Sequence, residues 1–360
     1  MEESVTQPAE AARPAPRQRL AYLDLINTVA IWFVVFLHVR IVFFDPRPTP
    51  GWWLENILSG IGVAAVPLFF MNSGATLVEF SERESIGTFF RKRLNRVLVP
   101  YLIWGQLYLL FRWRMGWVAD MGPQRIAITL VAGSSVAGTL WYLEAALGIY
   151  LVLPVVSLAV AGAKRLGWSR QRVCGYLIAV ALAASVAVPL IRQFLPAFLP
   201  NFTIPFGAGY LGYVLLGYAL ANFEFSRLHR WLLACLGVVG LALFILVGGF
   251  LGLAGSPHAR LFTDYLSPGT VMFASAAFSA VRHLNWQRWP AWFTGTLKWL
   301  AGLTFGIYLV HLMLIQLVTS RWPIANSWQV IPAAIVAWGV SLLLVWLLRL
   351  IPPIRNWLLP

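Results

Sequence analysis

Four ionisable side chains stand inside long apolar runs of this 360-residue chain: Asp24 and His38 in YLDLINTVAIWFVVFLHV, Glu144 in LWYLEAALGIYLVLP, and His311 in LTFGIYLVHLMLI. An ionisable group in such surroundings is costly, so it marks a site with a partner or a reaction that needs it. A neutral imidazole is the side chain best suited to take a proton from an alcohol near neutral pH. At 100° per residue, Asp24, Asn27 and His38 fall within about 40° of one line on a helix, and His38 lies about 21 Å along the axis from Asp24. His38 is therefore a candidate general base on one polar helix face, the alternative being a structural histidine bonded to a neighbouring helix. Glu144 shares a face with Trp141 and Gly148. It is expected either to orient or protonate His38 or to pair with an arginine that holds the helices together. Tyr308 and His311, three residues apart, face the same way, and helix packing explains them as well as catalysis does.

A second group is cationic. In FFRKRLNRVLVPYLIW, Arg91, Lys92, Arg93 and Arg96 run directly into an apolar segment, with Arg93 and Arg96 on one face at i, i+3. Guanidinium forks match phosphate oxygens, so these residues suit a phosphorylated ligand such as coenzyme A; the alternative is a basic membrane anchor. Other chemistries lack their residues. The four aspartates (Asp24, Asp45, Asp120, Asp264) form no Asp-x-Asp pair. The sequence carries no HExxH, CxxC, P-loop, GxGxxG or GxSxG pattern, so neither a metal site nor a nucleotide loop nor a hydrolase triad is expected.

The elements that must position these groups are membrane helices. The chain is 59% hydrophobic and 11% charged with a mean hydropathy of +0.74, well outside the range of ordinary globular domains. Apolar runs predict about ten transmembrane helices, near 20–44, 57–80, 95–115, 139–161, 173–195, 206–222, 231–252, 267–281, 298–319 and 329–350. The fold class is thus an all-α polytopic bundle. Residues 1–19 read as a disordered tail, 20–352 as the transmembrane domain and 353–360 as a short C-terminal tail, and segment 116–138 has room for a short amphipathic piece. The net charge of +14 does not call for nucleic acid. Of the 27 Lys and Arg residues, 19 fall on the side of the N-terminus, and Arg40, Arg47, Arg112, Arg114, Arg125, Arg192, Arg260 and Arg321 on the other. That asymmetry predicts cytoplasmic termini. Cys174 and Cys235 are expected to be free thiols.

Taken in order, YLDLINTVAIWFVVFLH, PLFFMNSGATL, FFRKRLNRVLVPYLIW, LWYLEAALGIYLVLP and LTFGIYLVHLMLI resemble the acyltransferase 3 family of integral membrane O-acyltransferases. The match runs from residue 22 to 315. The resemblance implies a bacterial inner-membrane enzyme with no permanently bound cofactor. Its donor would be acetyl-CoA or another acyl-CoA. Its acceptor would be a hydroxyl of an exopolysaccharide, another surface glycan or a lipid-linked precursor, with membrane lipids and a polysaccharide-synthesis complex as further partners. Carried over, His38 matches the family's helix-1 histidine, and Arg93 and Arg96 its basic motif. One position departs: eleven residues before the histidine the family often has arginine, and here Asn27 stands at the donor end of the helix. The rival reading is a transporter or flippase exporting a lipid-linked sugar or small solute, which the lack of repeated halves and of paired Gly/Pro-broken helices disfavours.

Overall fold

The computed structural model describes residues 20–42, 47–195 and 209–359; the tail expected over residues 1–19 lies outside them. The described residues are helical, with no strand. The first half comprises α1 (Ala21–Val42), α2 (Pro50–Gly62), α3 (Ala65–Leu77), α4 (Ile86–Arg93), α5 (Val99–Arg114), α6 (Pro123–Val131) and α7 (Trp141–Ala161). It continues with α8 (Arg170–Leu182), α9 (Val188–Phe194), α10 (Leu211–Asn222), α11 (Arg227–Ala242), α12 (Gly249–Leu253) and α13 (Arg260–Thr263). The last three are α14 (Pro268–Arg282), α15 (Ala291–Arg321) and α16 (Val330–Leu348). Helix starts are written in the sequence. Thr49, Ser85, Ser169, Ser226 and Ser267 each accept a backbone N–H two or three residues on, and Pro50, Pro123 and Pro268 supply the preset φ of a first turn.

Seven helices among the described residues are long and apolar enough to cross a membrane: Ala21–Ile41, Pro50–Glu82, Gly138–Ala161, Arg170–Phe194, Arg227–Leu253, Ala291–Arg321 and Ser327–Leu348. Three further spans expected from hydropathy hold the shorter α5, α10 and α14, of 16, 12 and 15 residues. At 1.5 Å per residue α10 covers about 18 Å, short of a ~30 Å hydrocarbon core. An apolar run reads the same whether it faces lipid or protein. α10 is enclosed by protein, with Tyr213, Val214, Leu215 and Tyr218 all within 1% of full burial. The 116–138 segment does carry a helix, α6.

Three π-helical turns interrupt the long helices, at Leu94–Leu98, Ala183–Ala187 and Leu243–Gly248. The first two lie just before Pro100 and Pro189, whose missing N–H and ring bulk disfavour a regular ladder. The third frees the Ile245 carbonyl, which accepts from Asn56 Nδ2 at 2.9 Å.

α1 sits at the centre, packed on α15, α3 and α16. The C-terminal stretch is docked rather than loose: Ile354–Leu358 form a helical turn, Trp104 Nε1 donates to the Leu358 carbonyl at 2.9 Å, and Leu359 is buried. Among the described residues both cysteines are free thiols, Cys174 buried and Cys235 exposed.

Candidate active site

His38 and His311 meet at the contact of α1 with α15, their ring centroids 4.9 Å apart at 74°. His38 Nδ1 lies 2.7 Å from the Val34 carbonyl one turn back, and His311 Nδ1 lies 2.6 Å from the Tyr308 carbonyl. A carbonyl only accepts, so each Nδ1 carries the proton and each neutral ring presents an Nε2 lone pair. His311 Nε2 is fully buried and has no hydrogen-bond partner among the described residues. His38 is half-buried. The pair therefore offers an acceptor for a proton within the bundle, with a second imidazole in ring contact with it. α15 is held in place at this level by two tyrosines. Tyr308 Oη donates to the Thr139 carbonyl at 2.6 Å, and Tyr108 Oη to the Leu309 carbonyl at 2.9 Å.

Toward the end where α1 begins, a cavity of about 260 Å³ opens between α1, α3, α7 and the π turn ahead of α5, and Asn27, Asn72, Thr76, Arg93, Arg96 and Tyr150 are among its walls. Asn72 Nδ2 donates to Asn27 Oδ1 at 2.8 Å and reaches the Leu23 carbonyl at 3.3 Å. Arg93 stands over the Phe89 ring at 5.8 Å, and its Nε is buried without a hydrogen-bond partner among the described residues. Burial pulls its guanidinium down from its ordinary value. Asn27 and His38 are eleven residues apart on α1, so the Asn27 wall of this cavity lies about 17 Å along the helix from His38.

Past the other side of His38 a second cavity of about 480 Å³ begins at Leu37 and Arg40 and extends to Trp52, Asn56, Asp264 and Tyr265. Arg40 Nε lies 3.7 Å from Glu55 Oε2, a carboxylate only 3% exposed. Hydropathy overlooked Glu55 because the expected span began at residue 57, and it counted Arg40 as a surface charge. The signal that finds them is the polar set Glu55, Asn56 and Ser59 at helical spacing in an otherwise apolar run.

The structure sorts the remaining candidates. Lys92 pairs with Glu84, and Arg91 is exposed on α4. Neither lines the basic cavity, whereas Arg93, Arg96 and Asn27 do. Asp24 is buried at the far end of α1, about 21 Å from His38, too distant to act on it. The two alternatives for Glu144 are both replaced by a third. Its carboxylate accepts from Tyr101 Oη at 3.0 Å, from the Ser134 N–H at 2.9 Å and from Ser134 Oγ at 2.9 Å. Tyr101 in turn accepts from the Gly133 N–H at 2.7 Å. Glu144 thus fastens the 133–135 turn to α5 and is not paired with His38. Glu144→Ala is expected to cost about 1–3 kcal/mol of stability through the polar groups left unpaired. The pH profile of any transfer activity should not move; a profile altered in the folded variant would return Glu144 to the chemistry.

No group of three or more His, Cys, Asp or Glu residues among the described ones is placed to hold a metal ion. No curated protein matches the chain, and no solved structure does. A family model described as an acyltransferase domain matches residues 20–350, which takes in the imidazole pair, both cavities and nearly every helix described above. By that match this membrane protein belongs to the acyltransferase 3 family.

Proposed function

We propose that the protein moves an acyl group, most simply acetyl, from coenzyme A to a sugar hydroxyl of a surface glycan or its lipid-linked precursor. The single observation that carries this reading is a pair of imidazoles in ring contact, each with its Nδ1 engaged by a backbone carbonyl and its Nε2 left as a proton acceptor, set between a cavity walled by two arginines and a second cavity at the opposite end. In this reading the arginine cavity opens on the cytosolic side of the bacterial inner membrane and both termini are cytoplasmic, which the positive-inside asymmetry of the sequence supports. Coenzyme A thioesters are available there.

In this reading the donor's phosphates lie on Arg93 and Arg96, and Asn27 and Asn72 give neutral hydrogen bonds where a further cation would otherwise stand. The thioester arm runs along α1 toward His38. A sugar hydroxyl enters from the cavity at Arg40. His38 Nε2 takes the hydroxyl proton as its oxygen forms a bond to the thioester carbonyl carbon. The carbon–sulfur bond then breaks, and the thiolate leaves with the proton that His38 returns. Transfer through an acyl-imidazole gives the same balance in two steps. The His311 ring lies against the imidazolium that forms, with ring centroids 4.9 Å apart. Either route carries an acyl group across the membrane plane and leaves the sugar outside.

Arg93→Gln tests the donor half. Coenzyme A affinity should fall roughly ten- to hundredfold, as for loss of a charge-assisted hydrogen bond, with the glycan ester reduced and glycan export normal. Unchanged coenzyme A affinity in the folded variant would remove the phosphate site. Loss of export with the ester content per chain intact would favour a flippase.

A further inference from the structure

A third cavity, of about 460 Å³, lies at the same end of the bundle as the Arg93/Arg96 site, between α15 and α16, and is lined by Lys298, Trp299, Gly302, Trp346, Arg349 and Arg355. The linings of the two cavities come within one turn of each other on α15, Gly302 and Leu303 lining this one and Phe305 the other. Arg349 Nη1 donates to the Gly302 carbonyl, which aims its guanidinium at the shared wall. Arg355 is carried on the C-terminal turn, and the Trp104–Leu358 hydrogen bond pins that turn against α5, the helix that follows Arg96. Burial and the nearby charges of Arg355 and Arg96 lower the Arg349 guanidinium from its ordinary value, and Arg349 and Arg355 line the one cavity. From Tyr265 to Pro360 the chain contains no aspartate or glutamate, so no carboxylate side chain of these helices offsets them. Trp299 and Trp346 are 47% and 42% exposed, and both line this cavity.

Two guanidiniums beside two partly exposed indoles are the chemistry that takes a nucleotide: forks for phosphate oxygens and a π face for the base. We propose that this cavity binds the adenosine bisphosphate end of the donor, with Arg349 and Arg355 on phosphate and Trp299 or Trp346 stacked on adenine, while Arg96 bridges to the phosphate chain in the neighbouring cavity. The inference rests on the donor reading given above. It adds the nucleotide subsite and assigns it to the C-terminal helices rather than to the arginine motif.

The test measures binding of adenosine 3′,5′-bisphosphate and of coenzyme A to the full chain in phosphatidylcholine nanodiscs. Arg355→Gln and Trp299→Ala, both at exposed positions, should each weaken the two ligands roughly tenfold or more, whereas Arg93→Gln should weaken coenzyme A alone. Nucleotide affinity unchanged in both C-terminal variants overturns the proposal. So does nucleotide binding that survives Trp299→Ala and is displaced by phosphatidylglycerol, which assigns the cavity to a lipid headgroup. Coenzyme A affinity lost in Arg93→Gln but intact in Arg355→Gln keeps the donor reading and sinks this one. Nucleotide binding lost in Arg355→Gln, with coenzyme A affinity indifferent to Arg93→Gln, keeps the nucleotide subsite and sinks the phosphate role of Arg93.

Discussion

His38→Ala is expected to lower acyl transfer by about 10²–10⁴-fold, the usual worth of a positioned general base, while the protein still inserts and purifies as a single species. The structural cost should be small. The imidazole's one described hydrogen bond is to the Val34 carbonyl within its own helix, and the ring is only half-buried. His311→Ala should behave differently, losing both rate and stability, because its ring is wholly enclosed and truncation opens a cavity. The contrast separates chemistry from packing: one variant keeps its melting temperature and loses the ester, and the other loses both. Ester content of the purified glycan, set beside thermal unfolding of the detergent-solubilised protein, reads it out. A fully acylated glycan from the His38→Ala strain would end the assignment of His38 as the base.

The individual parts of this site were legible in the sequence, and their partnerships were not. His38 and His311 stand out because membrane burial makes an ionisable residue expensive, Arg93 and Arg96 because guanidiniums at i, i+3 suit phosphate, and periodicity along α1 puts Asp24, Asn27 and His38 on one polar line. Periodicity acts within one helix, however, and the pairing of His38 with His311 joins the first helix to the penultimate long one. Glu144 was misread for the same reason. It is a deep carboxylate with no visible partner in the linear sequence, yet the turn at Gly133–Ser135 folds back over the start of α7 and supplies two donors. Asn72 drew no notice, since one asparagine in an apolar run is ordinary. Its importance comes from lying opposite Asn27. The helix count also depends on enclosure. α10 is a short apolar helix of 12 residues, and its neighbours enclose it in protein.

The second large effect is expected at the seam that holds the arginine cavity open. α3 and α10 cross with their backbones in contact: a Cβ built on Gly74 would stand 1.7 Å from the Val214 carbonyl oxygen, and one on Gly217 would stand 2.1 Å from that of Met71. The two contacts are reciprocal, because Met71 and Gly74 are three apart on α3 as Val214 and Gly217 are on α10, the small-residue geometry that lets membrane helices approach. Neither carbonyl is a flexible side chain that can step aside. Gly74→Ala or Gly217→Ala must therefore part the helices by on the order of 1 Å, at about 1–3 kcal/mol or more of stability. The damage reaches the site, since α3 brings Asn72 and Thr76 to the cavity wall, so coenzyme A affinity should fall with the melting temperature. The pair should also be strongly non-additive, because once the seam has opened the second methyl meets little resistance. Gly175→Ala is the control. It lies on α8 with nothing within 4 Å of its added Cβ, and should leave stability unchanged or raise it by about 0.4–1 kcal/mol. A Gly74→Ala/Gly217→Ala protein that melts with the wild type and binds coenzyme A as well would show that α3 and α10 do not pack backbone to backbone, and the cavity built on that seam would have to be redrawn.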